Sequence, residues 1–389
     1  MEILDPVHGH ISISELEKPL IESPYIQRLR HIKQLTAADV LYPGGVHTRF
    51  LHSIGTMWIG SKYAEHLYPN NSHIRQLVRI CMLFHDCGHV VGSHAYDDTV
   101  YAVIYPGHRK GHDQQRFKII QDPDVRKNIE ATGVKIEEIM DVWNGKNKVL
   151  SAICQGQLGA DRLDFTKRDA YFCGVSHLGR VCLERLINNS SIQKRDGVDE
   201  LHYSLKIKDD VLAALTSRLN MYRNVYHHKT CNAAQIVYRK MLERSMYILD
   251  LPNRTKDLEQ FKSLTDYVIG EIMDKKSSCY EELTEARKYA MKLVTRQGLP
   301  KMVWEKIVEH TEDNHFVIRN EMEEYVKENK IENAIIDEIV DIKYIDASTI
   351  YFVNKGESYN LVDITRNGQY EYYNISLRNY SIYRVYVMD

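Results

Sequence analysis

Apolar positions recur with helical spacing over most of the chain. Leu77, Ile80, Cys81 and Phe84 follow at intervals of three and four, which predicts a helix buried along one face and ending near Gly88. Val211, Leu215, Leu219, Tyr222 and Tyr226 predict a second long amphipathic helix, and the stretch from Ala233 to Leu249 a third. Ser23-Pro24 reads as a helix start, with proline in the first turn, where its missing amide proton costs nothing. Two-residue alternation enters only locally. SIQKRDGVDELHYSLKI (191–207) predicts a β-hairpin turning at Asp196-Gly197.

The texture changes past residue 335. STIYFVNKGESYNLVDI (348–364) and YEYYNIS (370–376) are β-branched and tyrosine-rich, with turn signals at Lys355-Gly356 and Asn367-Gly368. Residues 275–335 read as helical. The expectation is a mainly α fold: a helical core over residues 1–275, carrying the hairpin near 191–207, and a small α+β subdomain over 276–389 that ends in RVYVMD.

Composition narrows the function classes. The 51 Lys and Arg balance 53 Asp and Glu and are spread along the chain, which argues against a surface that coats nucleic acid. A local basic pocket for a compact anion remains compatible with that balance. Seven cysteines occur with no Cys-x-x-Cys pair, which excludes a zinc ribbon, and Cys81 and Cys154 sit among apolar neighbours as core residues do. MEILDPVHGH lacks a basic-then-apolar signal pattern, and no apolar run approaches the ~18 residues of a membrane span. The expectation is a cytoplasmic protein without a membrane partner.

The chemistry concentrates in LFHDCGHVVGSH (83–94), where His85 and Asp86 stand together at the end of an apolar helix. His89, His94 and Asp97 follow at once. Mixed imidazole and carboxylate donors suit a divalent metal. Upstream, His52 lies near a helix start, just after Arg49; downstream, Asp161, Asp164 and Asp169 fall on successive turns. Taken alone, His52 reads as a core histidine and 161–169 as a solvated helix face. Their joint order, His, then His-Asp, then Asp, carries the metal reading.

These words resemble the HD-domain superfamily, and within it the deoxynucleoside triphosphate triphosphohydrolases. The shared words are DPVHGHI (5–11), SPYIQRLRHIKQL (23–35), TRFLHSIG (48–55), HDCGHVVGSH (85–94), KGHDQQ (110–115), ADRLDF and KRD (160–169), SRLNMYRNVYHHK (217–229) and RVYV (384–387). The resemblance implies an HD-domain helical core and one divalent metal (Mn, Fe, Zn, Ni or Mg) on His52, His85, Asp86 and Asp161. It implies an additional Mg travelling with the triphosphate. It makes His89, His94 and Asp97 the group that handles the attacking water and proton transfer, with His112 and Arg49 at the α-phosphate. Arg162, where relatives often carry Lys, and Arg218 become phosphate contacts, and Gln34, Leu35, Asp169 and Tyr226 surround a deoxyribose. Phe165 stands where relatives often have Tyr, so a phosphate-directed hydroxyl is missing. The implied partners are a dNTP substrate and further copies of the chain, as a dimer or tetramer, with nucleic acid not indicated.

Other features pull away from the nucleotide-activated relatives. Leu4 replaces an Asn and Glu22 an Asp, although Gln27 and Arg30 are kept. Only four residues precede DPVHG. These departures weaken the expectation of a guanine-specific activator site. Two rival readings stay open: an HD phosphohydrolase for another phosphoester, such as a nucleoside monophosphate or signalling nucleotide, and a catalytically silent nucleotide- or nucleic-acid-binding protein.

Overall fold

The computed structural model describes residues 1–342, 346–366 and 380–388; the expected turn at Asn367-Gly368 and the segment YEYYNIS lie outside the described residues. The chain opens with strands β1 (Glu2–Asp5) and β2 (Gly9–Ser12), an antiparallel hairpin whose turn is the DPVHG word. Ser23-Pro24 starts a short helix, Pro24–Gln27, as expected. Helix α1 (Arg49–Leu67) then runs through the centre of the molecule. It buries Phe50, Ile54, Met57, Ile59 and Tyr63, and also the small residues Ser53, Gly55, Thr56, Gly60 and Ser61. A helix buried on nearly every side belongs at the middle of a core, and its small residues let neighbours come close.

Helix α2 (Ser72–Phe84) carries the predicted stripe and buries Leu77, Ile80, Cys81 and Phe84. Its amide ends are relieved by Asn71, whose side chain accepts from the Ile74 amide. Packing of α2 on α1 is tight: a Cβ on Gly60 would lie 2.8 Å from Val78 Cγ1 and 3.2 Å from Met82 Cγ. Helices α3 (Gly111–Ile119) and α4 (Ala160–Phe172) complete the side of the core that matters for the site. The expected hairpin forms as β3 (Ser190–Arg195) and β4 (Val198–Ser204). Its turn residues Asp196 and Gly197 both have positive φ, 52° and 82°, the backbone of a type I′ turn. Helix α5 (Lys208–Met221) runs into a π-helical turn, Tyr222–Tyr226, and α6 (Lys229–Ser245) follows.

The C-terminal third is α+β, built on helix α7 (Thr284–Thr295), strand β5 (Lys301–Glu309), helix α8 (Glu312–Glu328) and strands β6 (Ala334–Ile342), β7 (Tyr351–Asn354), β8 (Glu357–Asn360) and β9 (Tyr380–Val387). Strand β9 lies between β5 and β6 in an antiparallel sheet, while β7 pairs in parallel with β4. The helical reading of 275–335 fails at Lys301–Glu309. KMVWEKIVE alternates exposed and half-buried residues over all nine positions, the period of a strand with one covered face. Ala286, Ala290, Ile350 and Phe352 join the main core, whereas Ile318, Met322, Tyr383 and Val385 form a small core under the three-stranded sheet. Among the described residues no helix is long and apolar enough to cross a membrane.

The close approach of α1 and α2 gives a first prediction. Gly60→Val gains about 0.4 kcal/mol of helix propensity but forces methyl groups into Val78 and Met82, a cost of about 1–3 kcal/mol. Urea denaturation should show a lower midpoint with an unchanged slope. A midpoint equal to that of the parent chain would contradict the packing.

Candidate metal centre and active site

Three helix ends meet at one point. The C-terminus of α2 delivers His85 and Asp86, the first turn of α1 delivers Arg49 and His52, and the first turn of α4 delivers Asp161. Hydrogen bonds at the far ring nitrogens set the two histidines. His52 Nδ1 donates to Asp164 Oδ2 (2.7 Å), and His85 Nδ1 to the Met82 carbonyl (2.6 Å). Both Nε2 atoms then face each other at 3.2 Å, a distance at which they share a proton or, once that proton is lost, would both turn a lone pair toward a cation.

The remaining donors fit the same cation. Asp161 Oδ1 is 3.2 Å from His52 Nε2 and 3.8 Å from His85 Nε2. Asp86 Oδ1 is 3.5 Å from His85 Nε2, while its Oδ2 receives Arg49 Nη1. Ligands at ~2.1 Å from a divalent metal lie ~3.0–3.4 Å apart along the edges of an octahedron or tetrahedron. The donor atoms of His52, His85 and Asp161 all lie within 4.8 Å of one another, and Asp86 stands at the edge of that group. Burial opposes ionisation of Asp86 and Asp161, but neighbouring histidines, and Arg49 for Asp86, hold both carboxyls below the usual range. Burial also opposes the charge on His52, yet Asp161 and Asp164 outweigh it and raise that imidazole to about 10. Without a cation that ring carries a proton on both nitrogens at pH 7, and a metal at Nε2 would displace one of them.

Behind His52 sits a fully buried ionic network. Asp164 accepts from His52, from Arg168 Nε (2.8 Å) and Nη2 (3.0 Å), and from His8 Nε2 (2.6 Å). Arg168 Nη1 also donates to Asp5 Oδ2 (2.8 Å). Gly55 makes room for this: a Cβ there would sit 2.1 Å from Arg168 Nη2 and 2.2 Å from Asp164 Oδ1. The DPVHG word is thus part of the site's foundation.

A second group adjoins the first. His112 Nδ1 lies 2.7 Å from Asp97 Oδ2, and His94 Nδ1 lies 3.2 Å from the same oxygen. His89 stacks on His112 with ring centroids 3.8 Å apart, and its Nε2 is 3.6 Å from Asp86 Oδ1. Burial, Arg49 and His112 push His89 well below its ordinary range, so it stays neutral at pH 7. Burial opposes the charge of Asp97, but His112 and His94 keep it ionised. The loop carries strain: Ser93 has φ 49°, and its Oγ accepts from Arg49 Nη2 at 2.9 Å. Asp97–Tyr101 forms a π-helical turn, a distortion frequent at functional sites. The His94 side chain is 69% exposed and lines a cavity of about 770 Å³ with Asp97, Arg109, Lys110 and Tyr222.

The other expected substrate contacts come mainly from α4, α5 and the π-helical turn that follows α5. Arg162 Nη1 is held by the Gln155 carbonyl (2.7 Å) and Arg218 Nη1 by the Gln157 carbonyl (2.6 Å), both neutral oxygens. Burial and then the charge of Arg162 lower Arg218 to about 10, as expected for two cations kept close. Phe165 lies 6.5 Å from the His52 ring and 5.9 Å from that of Tyr226. Tyr226 donates to Asp169 Oδ2 (2.7 Å), whose other oxygen meets His47 Nε2 (2.8 Å). Leu35 packs with Tyr226 against Met221 and Val225. Gln34 joins this side through its amide, which donates to the His47 carbonyl, and its buried side-chain oxygen has no partner among the described residues. Arg49, expected at the α-phosphate, donates to Asp86 and Ser93.

Comparison with known proteins agrees with this geometry. The HD domain family matches residues 49–165, the span that holds His52, His85, Asp86 and Asp161. Residues 49–165 therefore carry an HD domain. It resembles an uncharacterized protein of Methanocaldococcus jannaschii, at 30% identity over 71% of this chain and 58% of that protein. It also resembles the deoxynucleoside triphosphate triphosphohydrolase SAMHD1 homolog of Dictyostelium discoideum, at 25% identity over 79% of this chain and 60% of that protein. The chain therefore spans less than two thirds of the length of these curated relatives. A crystal structure of a hypothetical protein from Aquifex aeolicus superposes with a TM-score of 0.79 and 26% identity, covering 100% of this chain and 96% of that one.

His8, Asp5, Arg168, His47 and Ser93 drew no role from spacing. Only the words DPVHG and KRD hinted at the first three. The ionised carboxylates imply a specific acid response. Asp97 has a folded pKa below its unfolded value of about 4, so its contribution is present above that pH and fades as pH falls through and below it. Asp97→Asn should be less stable than the parent chain at pH 6, and the gap should narrow from pH 5 to pH 3. Chemical denaturation at each pH checks this, and parallel curves would refute it.

Proposed function

We propose that this HD-domain protein is a metal-dependent dNTP triphosphohydrolase, converting a dNTP and water to deoxynucleoside and inorganic triphosphate. The observation that carries the reading is the convergence of His52 Nε2, His85 Nε2 and Asp161 Oδ1 on one point, flanked by the His89–His94–Asp97–His112 cluster. The similarity to deoxynucleoside triphosphate triphosphohydrolases over most of the chain supports the substrate class. In this reading His52, His85, Asp86 and Asp161 hold one divalent cation, which supplies a polarised phosphoryl oxygen and an acidified water.

The chain's own residues do the rest. Arg162 and Arg218, tethered by neutral carbonyls, balance the ~4 negative charges of a triphosphate. Neutral His89, beside Asp86, accepts a proton from the attacking water. Attack at the α-phosphorus breaks its bond to the 5′-oxygen, and His94 gives that oxygen its proton. Asp97 holds His94 through Nδ1, which leaves Nε2 for this transfer. Leu35 and Tyr226 fill the space that a 2′-hydroxyl would need, and Asp169, fixed by His47, faces the sugar.

Phe165 favours a second reading. Its ring offers no hydroxyl to a phosphate, so a smaller phosphoester remains a rival substrate. Incubation of the Mn²⁺-loaded protein with each dNTP, followed by ion chromatography, separates the two. Triphosphate as co-product is expected; orthophosphate or pyrophosphate would overturn the first reading. His94→Ala should keep the metal but lower kcat by ~10²–10⁴, the usual scale for losing a positioned acid. An unchanged kcat would remove His94 from the mechanism.

A further inference from the structure

We infer that His8, in the turn of the N-terminal hairpin, is a positioning residue that sets the protein's metal affinity through Asp164 and His52. The inference rests on the ligand set proposed above. Asp164 lies one layer behind the metal point and touches it only through His52. Its two carboxylate oxygens receive four donors: His52 Nδ1 and Arg168 Nε on Oδ2, His8 Nε2 and Arg168 Nη2 on Oδ1. Four bonds saturate a carboxylate. Its plane is thereby fixed, and so is the direction from which His52 is held.

The two oxygens are held from different parts of the chain. Arg168 stands one turn further along the same helix as Asp164, so it moves with that helix. Among the donors on Oδ1, His8 alone comes from outside the helix. His8 is itself pinned: its ring stacks on Trp58 of α1, centroids 4.8 Å apart, and its side chain is 1% exposed. Its amide and that of Val7 donate to Asp5 Oδ1 at 2.9 Å, while Asp5 Oδ2 takes Arg168. The hairpin turn therefore clamps Asp164 to α1, the helix that carries His52. A carboxylate that orients a metal-binding histidine typically changes metal affinity ~10–100-fold when lost, through ring orientation and basicity. His8 acts on that carboxylate from a residue 44 positions away from His52 in the chain.

Mn²⁺ alone is the probe, with binding followed by equilibrium dialysis and metal analysis, and folding followed by thermal melts of the metal-free protein. His8→Phe keeps the stack on Trp58 without a donor, and His8→Ala removes both; either should raise the Mn²⁺ dissociation constant ~10–100-fold. His8→Gln places an amide N–H near the original Nε2 and should stay within about threefold of the parent affinity, because one donor replaces another. Wild-type affinity in the Phe and Ala variants would overturn the inference, even with a lower melting temperature, since that is the signature of a merely structural contact. Equal weakening in the Gln and Phe variants would overturn it too. Asp161→Ala runs alongside and should lose Mn²⁺ altogether. If it binds as the parent does, the ligand assignment has failed; if it is dead while the His8 variants bind normally, only the inference on His8 has failed.

Discussion

The hydrogen bond from His52 Nδ1 to Asp164 Oδ2, 2.7 Å long and out of reach of water, decides which nitrogen of His52 faces His85. With Nδ1 engaged, Nε2 is the atom left facing the space that His85 and Asp161 share. The bond also decides the rotation of the ring, since the acceptor's position is fixed. Much else in the molecule serves that acceptor. Gly55 leaves the room, Arg168 supplies the countercharge, and the N-terminal hairpin closes the far side.

Such an arrangement is costly to build. Asp5, Asp164 and Arg168 are all buried, and desolvating three charges offsets much of what their attraction returns. Replacing a whole buried ionic set with well-packed apolar residues is often neutral or stabilising. Removing one member is another matter, because it strands the others at about 3–5 kcal/mol. The network therefore makes better sense as a device for holding one histidine in one orientation than as a source of stability.

The fold class was legible because helical periodicity is a local property: the stripe from Leu77 to Phe84 needs no partner to be seen. The nine-residue alternation of Lys301–Glu309 was equally local, yet the helical stretches on both sides hid it. The site divides differently. His85 and Asp86 stand out as an ionisable pair on an apolar helix. Asp164 and Arg168 do not, since residues four apart on a helix look the same whether the face is wet or dry. What buries that face is α1, a hundred residues earlier, and the decisive feature there is the absent side chain of Gly55. His8 is harder still, because its partner is 156 positions away. The family resemblance carried those words as words, without saying what they touch.

Asp86 links the two halves of the site. Its Oδ1 lies 3.5 Å from His85 Nε2 and 3.6 Å from His89 Nε2, so one oxygen adjoins both the candidate metal point and the histidine cluster proposed for proton transfer. Its Oδ2 belongs to Arg49. A guanidinium has five N–H donors. Arg49 directs one to Asp86 and two to Ser93 Oγ, through Nε and Nη2. Two protons, one on each terminal nitrogen, have no partner among the described residues, and they lie in the guanidinium plane that Asp86 and Ser93 have already fixed. In the proposed reading, an anion arriving between His85 and His89 would meet an arginine whose orientation is already settled. On that reading the contact to Asp86 readies Arg49 for a phosphate, and the positive φ at Ser93 is the conformational cost of the alignment.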